Sequence, residues 1–295
     1  MGMGKEWVDR FDKARRIYNE ADRILGIPIM KYCFEGPEET LTRTLFAQPA
    51  IYVTSFILFT ILEQKLESLK PDLVAGLSLG EFTALTAARA LSFETGLRLV
   101  QIRAQLMEKA AEHYPGTMVS VVGLSQEECF ALAKESGAEL ANLNATDQFV
   151  LSGTEAAVKK AGELAEGMGA KRVIPLKVGG AFHSSLMREA RQGLEKALQK
   201  TPISTPHCTF VPNVTGGEER DPAKIRLLLS EQLVSPVRWI ETMNRAKELG
   251  IHRFVEIGPG RVLKGLARKI DPSFEVYSFE KISDLEKVES DLEKV

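Results

Sequence analysis

Leu73-Val74-Ala75-Gly76-Leu77-Ser78-Leu79-Gly80-Glu81 is the stretch on which the fold turns. The apolar run Leu73–Gly76 has the length of a short buried strand. A sharp turn follows at Leu77–Gly80, and residues from about Glu81 to Arg89 read as a helix. Strand, tight turn and helix in that order predict a parallel α/β unit. Gly76-Leu77-Ser78-Leu79-Gly80 is also a GxSxG, whose glycines permit a strained turn that leaves the serine hydroxyl exposed. The backbone N–H of Leu79 then faces the site as an oxyanion donor, and the helix behind it points its positive end there. By itself the pattern equally fits a loop serine that only caps the helix.

Upstream, Glu6–Leu25 has Trp7, Phe11, Ala14, Ile17, Ala21 and Leu25 at helical spacing. Pro49 is expected to open a second helix running to about Leu69, apolar on most faces and therefore buried. Downstream, Phe93–Ala111 is another helix. The character changes after His113. Gly116–Leu124 reads as a strand, and Ser125–Ser136 as a helix with Ser125 and Glu128 forming a capping box. Leu140–Asn144 and Gln148–Gly153 are strands, Glu155–Met168 a helix and Arg172–Leu176 a strand. This βαββαβ order predicts a ferredoxin-like module. After a loop at Val178–His183 come a helix at Ser184–Lys200 and strands at Thr209–Val214 and Phe254–Ile257. The fold class is therefore α/β: a large subdomain of residues 1–113 and 178–295 around a small one at 114–177. The tail repeats SDLEKV at Ser283–Val288 and Ser290–Val295. Two heptads are too few for a coiled coil, so a surface helix is expected.

The 295 residues carry 38 Lys+Arg against 40 Asp+Glu, a net charge of −2 that gives no footprint for nucleic acid. Cys33, Cys129 and Cys208 form no CxxC pair and no zinc spacing, which fits a reduced, cytoplasmic compartment. The four histidines show no metal pattern. Ile51–Leu62 is too short an apolar run to span a bilayer, and the start has no secretory pattern, so no membrane association is expected.

A nucleophilic serine needs a base. His183 follows a glycine-rich loop and precedes a helix, the best setting of the four histidines. Asp147 is the only aspartate between Ser78 and His183, and its place in a turn of the small module argues against a full triad. Arg103 lies among Leu99, Val100, Leu106 and Met107. Spacing alone favours an arginine whose head reaches water over the sharper reading, a fork for a substrate carboxylate.

GLSLGE at Gly76–Glu81, QIRAQLM at Gln101–Met107, ANLNATDQFVLSG at Ala141–Gly153, GAFHSSLM at Gly180–Met187, SPVRW at Ser235–Trp239 and EIGPGRVLKGL at Glu256–Leu266 occur in one order. With Thr44, Gln48, Pro49 and Ala50, this order resembles that of the malonyl-CoA:acyl-carrier-protein transacylases over almost the whole chain. The resemblance implies an α/β-hydrolase-like large subdomain with a parallel sheet and a ferredoxin-like insert. It implies Ser78 as nucleophile, His183 as base, and a backbone carbonyl near Ser235–Arg238 orienting the histidine. Leu79 supplies an oxyanion N–H, Arg103 holds the malonyl carboxylate, Gln48 and Asn144 line the pocket, and Phe182 crowds an α-methyl group.

Four departures stand out. Leu77 occupies a position often held by histidine, Thr146-Asp147 replaces a common Pro-Gly, and Ala104 replaces a frequent glycine. Met1-Gly2-Met3-Gly4 aligns with a segment that family chains reach only after a first strand and a PGQGxQ loop, whose glutamine helps form the oxyanion hole. The expectation is a coding start upstream of Met1, and unpaired neighbours where that inner strand would lie.

The function implied is ping-pong malonyl transfer from malonyl-CoA to acyl carrier protein in fatty acid biosynthesis, by a monomer needing no metal or organic cofactor. A polyketide acyltransferase acting in trans, a carrier-protein acyl hydrolase and a non-catalytic carrier-binding scaffold are the competing readings.

Overall fold

The computed structural model describes residues 1–66 and 70–292. It opens with helices α1 (Lys5–Arg10), α2 (Asp12–Leu25), α3 (Ile29–Glu35), α4 (Glu38–Thr42) and α5 (Thr44–Lys65). The single helix expected over Glu6–Leu25 is broken at Phe11, whose backbone is extended at φ −126°, ψ 115°. The break lets the two halves serve different surfaces. Trp7 on α1 packs against Phe279, with 5.1 Å between ring centroids, and donates its indole N–H to the Glu280 carbonyl. On α2, Tyr18 instead meets the hydroxyl of Thr54 on α5 at 2.8 Å.

Pro49 does not open α5. The helix begins at Thr44 and Pro49 sits inside it, so no N–H is available there for the carbonyl four residues back. The end expected near Leu69 falls outside the described residues. By length and composition α5 could cross a membrane, yet 67% of its apolar window is buried within the protein. Tyr52, Val53, Ile57 and Leu58 make it a central helix of the main core.

β1 (Leu73–Val74) and α6 (Gly80–Ala87) flank the serine turn, and α7 (Phe93–His113) follows, capped by Ser92. The small module comprises β2 (Thr117–Val122), α8 (Gln126–Ser136), β3 (Glu139–Ala145), β4 (Gln148–Gly153), α9 (Glu155–Gly167) and β5 (Arg172–Pro175). The Ser125/Glu128 capping box is formed. The strands run antiparallel in the order β5-β2-β4-β3, the ferredoxin-like arrangement. Alternation puts Val119, Val121, Phe149 and Leu151 on one face, against α8 and α9, as a core of their own.

A 3₁₀ turn at Ser185–Met187, capped by Ser184, precedes α10 (Arg188–Gln199), where one continuous helix was expected. β6 (Thr209–Phe210) is shorter than its expected span, since Pro212 has no N–H for a ladder. α11 (Pro222–Glu231), β7 (Val237–Arg238), α12 (Trp239–Glu248), β8 (Arg253–Ile257), α13 (Val262–Ile270), β9 (Glu275–Phe279) and α14 (Ile282–Leu292) complete the chain. β7 pairs parallel with β3, Asn142 opposite Val237 and Leu143 opposite Arg238. The small sheet therefore gains a fifth strand from beyond residue 178, and the two subdomains share a sheet.

The parallel strands of the large subdomain form two separate pairs, β1 with β6 and β8 with β9. Their side chains divide between the same two clusters. Val74, Val255 and Ile257 pack on the main core, while Ala75, Leu77, Phe254 and Val276 pack with Trp239 and Leu266. Both pairs thus belong to one layer between two apolar faces, and among the described residues no ladder joins β1 to β8. The first tail repeat forms a docked surface helix, α14, through buried Leu285 and Val288. The second runs on past Leu292, outside the described residues.

Candidate active site

Three elements converge at the serine. The turn between β1 and α6 holds Ser78 in left-handed backbone at φ 53°, a conformation that costs a non-glycine residue and persists where its surroundings enforce it. The glycine at position 76 has a steric cause. A Cβ there would stand 2.0 Å from the Gly80 carbonyl carbon, so the turn closes only without one. Asn213, just beyond β6, locks the turn: its Oδ1 accepts the Ser78 N–H at 2.7 Å and its Nδ2 donates to the Gly76 carbonyl at 2.8 Å. The Leu79 N–H is given to no acceptor among the described residues and remains available to a developing oxyanion.

His183 lies in the loop before the 3₁₀ turn, also left-handed at φ 58°. Its Nε2 is 2.8 Å from Ser78 Oγ and its Nδ1 is 2.8 Å from the Gln232 carbonyl. A carbonyl only accepts, so Nδ1 carries the proton and Nε2 is free to accept from the serine. The orienting carbonyl belongs to Gln232, at the start of the 3₁₀ turn after α11, rather than to Ser235–Arg238; the Ser235 backbone is a weaker second partner. Asp147 takes no part. It is bound to Lys269 at 3.0 Å.

Arg103 is 1% exposed, so of the two roles open to it the water-reaching one does not occur. One terminal nitrogen donates to Gln48 Oε1 at 2.6 Å; the other donates to Ser78 Oγ and Gln232 Oε1, both at 2.9 Å. Its Nε is buried with no partner, and no carboxylate lies within ion-pair distance among the described residues. Burial lowers it to about 10, which leaves it charged at neutral pH. A buried guanidinium held by neutral acceptors beside a nucleophile is a seat for an anionic group.

Of the other expected pocket residues, Gln48 is brought into contact with Arg103, and Phe182 adjoins His183 and packs on Met118 and Val150 of the small sheet. Asn144 bonds to none of these groups, and its Oδ1 is enclosed without a partner. Sequence reasoning missed Asn213 and Gln232. Neither sits in a motif that signals chemistry. Gln232 is three residues ahead of SPVRW, and only the path of the chain shows that its carbonyl faces the histidine.

The acyl transferase domain family matches residues 1–276. The malonyl CoA-acyl carrier protein transacylase of Bacillus subtilis is 40% identical over 98% of this chain and 91% of its own length. The chain belongs to the malonyl CoA-acyl carrier protein transacylase family. Solved structures of the family superpose closely. The acyl-carrier-protein S-malonyltransferase of Bartonella henselae has a TM-score of 0.94 at 34% identity, covering 99% of this chain and 95% of that one. A malonyl-transacylase solved in complex with a type II polyketide acyl carrier protein matches at 0.94 and 32%, covering 99% and 95%. The family's α/β fold with its inserted module is thus the fold of this chain.

Burial, then the Arg103 charge, push His183 down to about 4. The base is therefore neutral and competent above about pH 5 in the free protein. A bound carboxylate neutralises Arg103 and removes one of the two causes, which raises the His183 value in the complex. The acid limb of kcat/KM is expected near pH 4, with the limb of kcat above it. Initial rates of CoA release across pH check this, and a kcat/KM limb at 6.5 or higher contradicts it. The sign for stability follows. The unfolded chain takes the proton first, so stability falls as pH drops from about 6.5 towards 4.

Proposed function

We propose that this chain is an acyltransferase that moves the malonyl group from malonyl-CoA to the phosphopantetheine thiol of acyl carrier protein, in fatty acid biosynthesis. The observation that carries the reading is Arg103: a buried cation with no ion-pair partner among the described residues, 2.9 Å from the Ser78 hydroxyl. A thioester seated there with its free carboxylate on Arg103 presents its carbonyl carbon to Ser78.

Ser78 Oγ attacks that carbon while His183 Nε2 takes its proton. The Leu79 N–H receives the oxyanion. The C–S bond breaks as the tetrahedral adduct collapses, and His183 returns the proton to the CoA sulfur. In the second half the carrier thiol gives its proton to His183 and attacks the malonyl-serine. Ser78 Oγ leaves and is reprotonated. Nothing in this sequence calls for a metal or organic cofactor. Phe182 narrows the space beside the acyl α-carbon and disfavours an added methyl, by the modest margin one methyl allows.

The partner is an acyl carrier protein, as in the type II polyketide complex that this chain resembles. The chain acts as a monomer in the cytoplasm, apart from membranes and nucleic acid. Its three unpaired cysteines suit a reducing compartment, and burial raises the Cys33 and Cys129 thiols to about 12, which keeps them unreactive.

The test is incubation with malonyl-CoA and phosphopantetheinylated acyl carrier protein, followed by intact mass of the carrier. Malonyl-carrier should form in step with CoA release. Release of CoA with free malonate and an unmodified carrier would make the protein a hydrolase instead.

A further inference from the structure

Glu81 is wholly buried in the first turn of α6, and the steps above do not use it. Both its oxygens are nevertheless engaged. Oε1 accepts the Asn213 backbone N–H and Oε2 accepts from Gln232 Nε2. Asn213 in turn locks the serine turn. Gln232 reaches three parts of the site at once: Nε2 donates to the Ser78 carbonyl at 2.9 Å, Oε1 accepts from Arg103, and its backbone carbonyl holds His183.

A side-chain amide has a donor end and an acceptor end. With Nε2 drawn to a carboxylate, Oε1 faces the guanidinium. Reversed, the NH₂ would oppose Arg103, donor against donor, among side chains that are all buried. An acceptor at position 81, with the Ser78 carbonyl, therefore sets the direction of Gln232, and Gln232 sets the aim of Arg103.

We propose that Glu81 is a positioning residue that orients the Gln232 amide, so that Arg103 is held ready for the acyl carboxylate and the site prefers a carboxylated acyl group. This rests on the malonyl-transfer reading. Failure of the unaltered chain to form a malonyl-enzyme would defeat that reading, whereas the outcomes below bear on Glu81 alone.

The measurement is the rate of acyl-enzyme formation from malonyl-CoA and from acetyl-CoA, in Glu81→Gln and Glu81→Asp, with thermal unfolding of each. In Glu81→Gln the amide keeps the shape but turns its NH₂ on Gln232 Nε2, donor against donor, and works against the native direction. The malonyl rate should fall about 10–100-fold, the range of one buried group left unsatisfied, while the acetyl rate changes little. Glu81→Asp keeps two acceptor oxygens on a shorter stem and should retain more of the malonyl preference. An equal fall for both substrates, or an unchanged ratio, in a folded Glu81→Gln overturns the proposal, because a merely structural carboxyl lowers both rates together. Should Glu81→Gln not fold, Glu81→Ala, which removes the acceptor altogether, decides by the same ratio. Neutron diffraction of the unaltered chain with Gln232 Nε2 turned to Arg103 overturns it whatever the variants do.

Discussion

Ser78→Ala is expected to abolish the malonyl adduct on the intact protein and to lower malonyl transfer about 10⁴–10⁶-fold, the scale seen when a nucleophile working with a paired base is deleted. The fold should survive. Alanine places no new atom in the left-handed turn, and the Asn213 bonds to the Ser78 N–H and the Gly76 carbonyl do not involve the hydroxyl. The loss is local: His183 Nε2 loses its partner, and Arg103 keeps Gln48 and Gln232. Intact mass after mixing with malonyl-CoA, beside an unfolding curve, separates chemistry from folding. A malonyl adduct that persists on Ser78→Ala would place the nucleophile elsewhere.

Arg103→Ala should cost about 10²–10⁴ in kcat/KM for malonyl-CoA, corresponding to about 3–5 kcal/mol for a charge brought into a buried site without its counter-ion. Acetyl-CoA has no free carboxylate, so its rate should fall far less, and the preference between the two should narrow or reverse. Arg103→Lys should fall between, because a single ammonium cannot span Gln48 on one side and Gln232 on the other as the planar fork does. Rates of CoA release from both thioesters make the comparison. Equal losses on the two substrates would assign Arg103 a purely structural role and remove the main support for a carboxylated donor.

Much of this was legible along the chain because it is local. The serine turn follows from two glycines around Ser78, one of them sterically required. Ser125 and Glu128 meet across one helical turn, and the antiparallel strands at 139–153 follow from alternation around a turn. Local rules failed where distant contacts decide. Nothing in the spacing of Glu6–Leu25 marks the break at Phe11, which exists because Trp7 has a partner more than 270 residues away. Pro49 reads as a helix start, yet it is accommodated within α5.

The site divides the same way. Sequence alone determined the chemical parts: a serine on a forced turn, a histidine after a glycine-rich loop, an arginine on a largely apolar helix, and an order of motifs that marks the family. Tertiary structure decided how they act. It enclosed Arg103, brought it and His183 to the same hydroxyl, and supplied the Gln232 carbonyl that fixes the imidazole tautomer. It also brought the Glu81 carboxyl against Gln232 and the Asn213 backbone. Residue types and turns are set by bonds spanning a few positions. Burial and hydrogen-bond direction are set by groups that meet only when helices and strands from across the chain pack together.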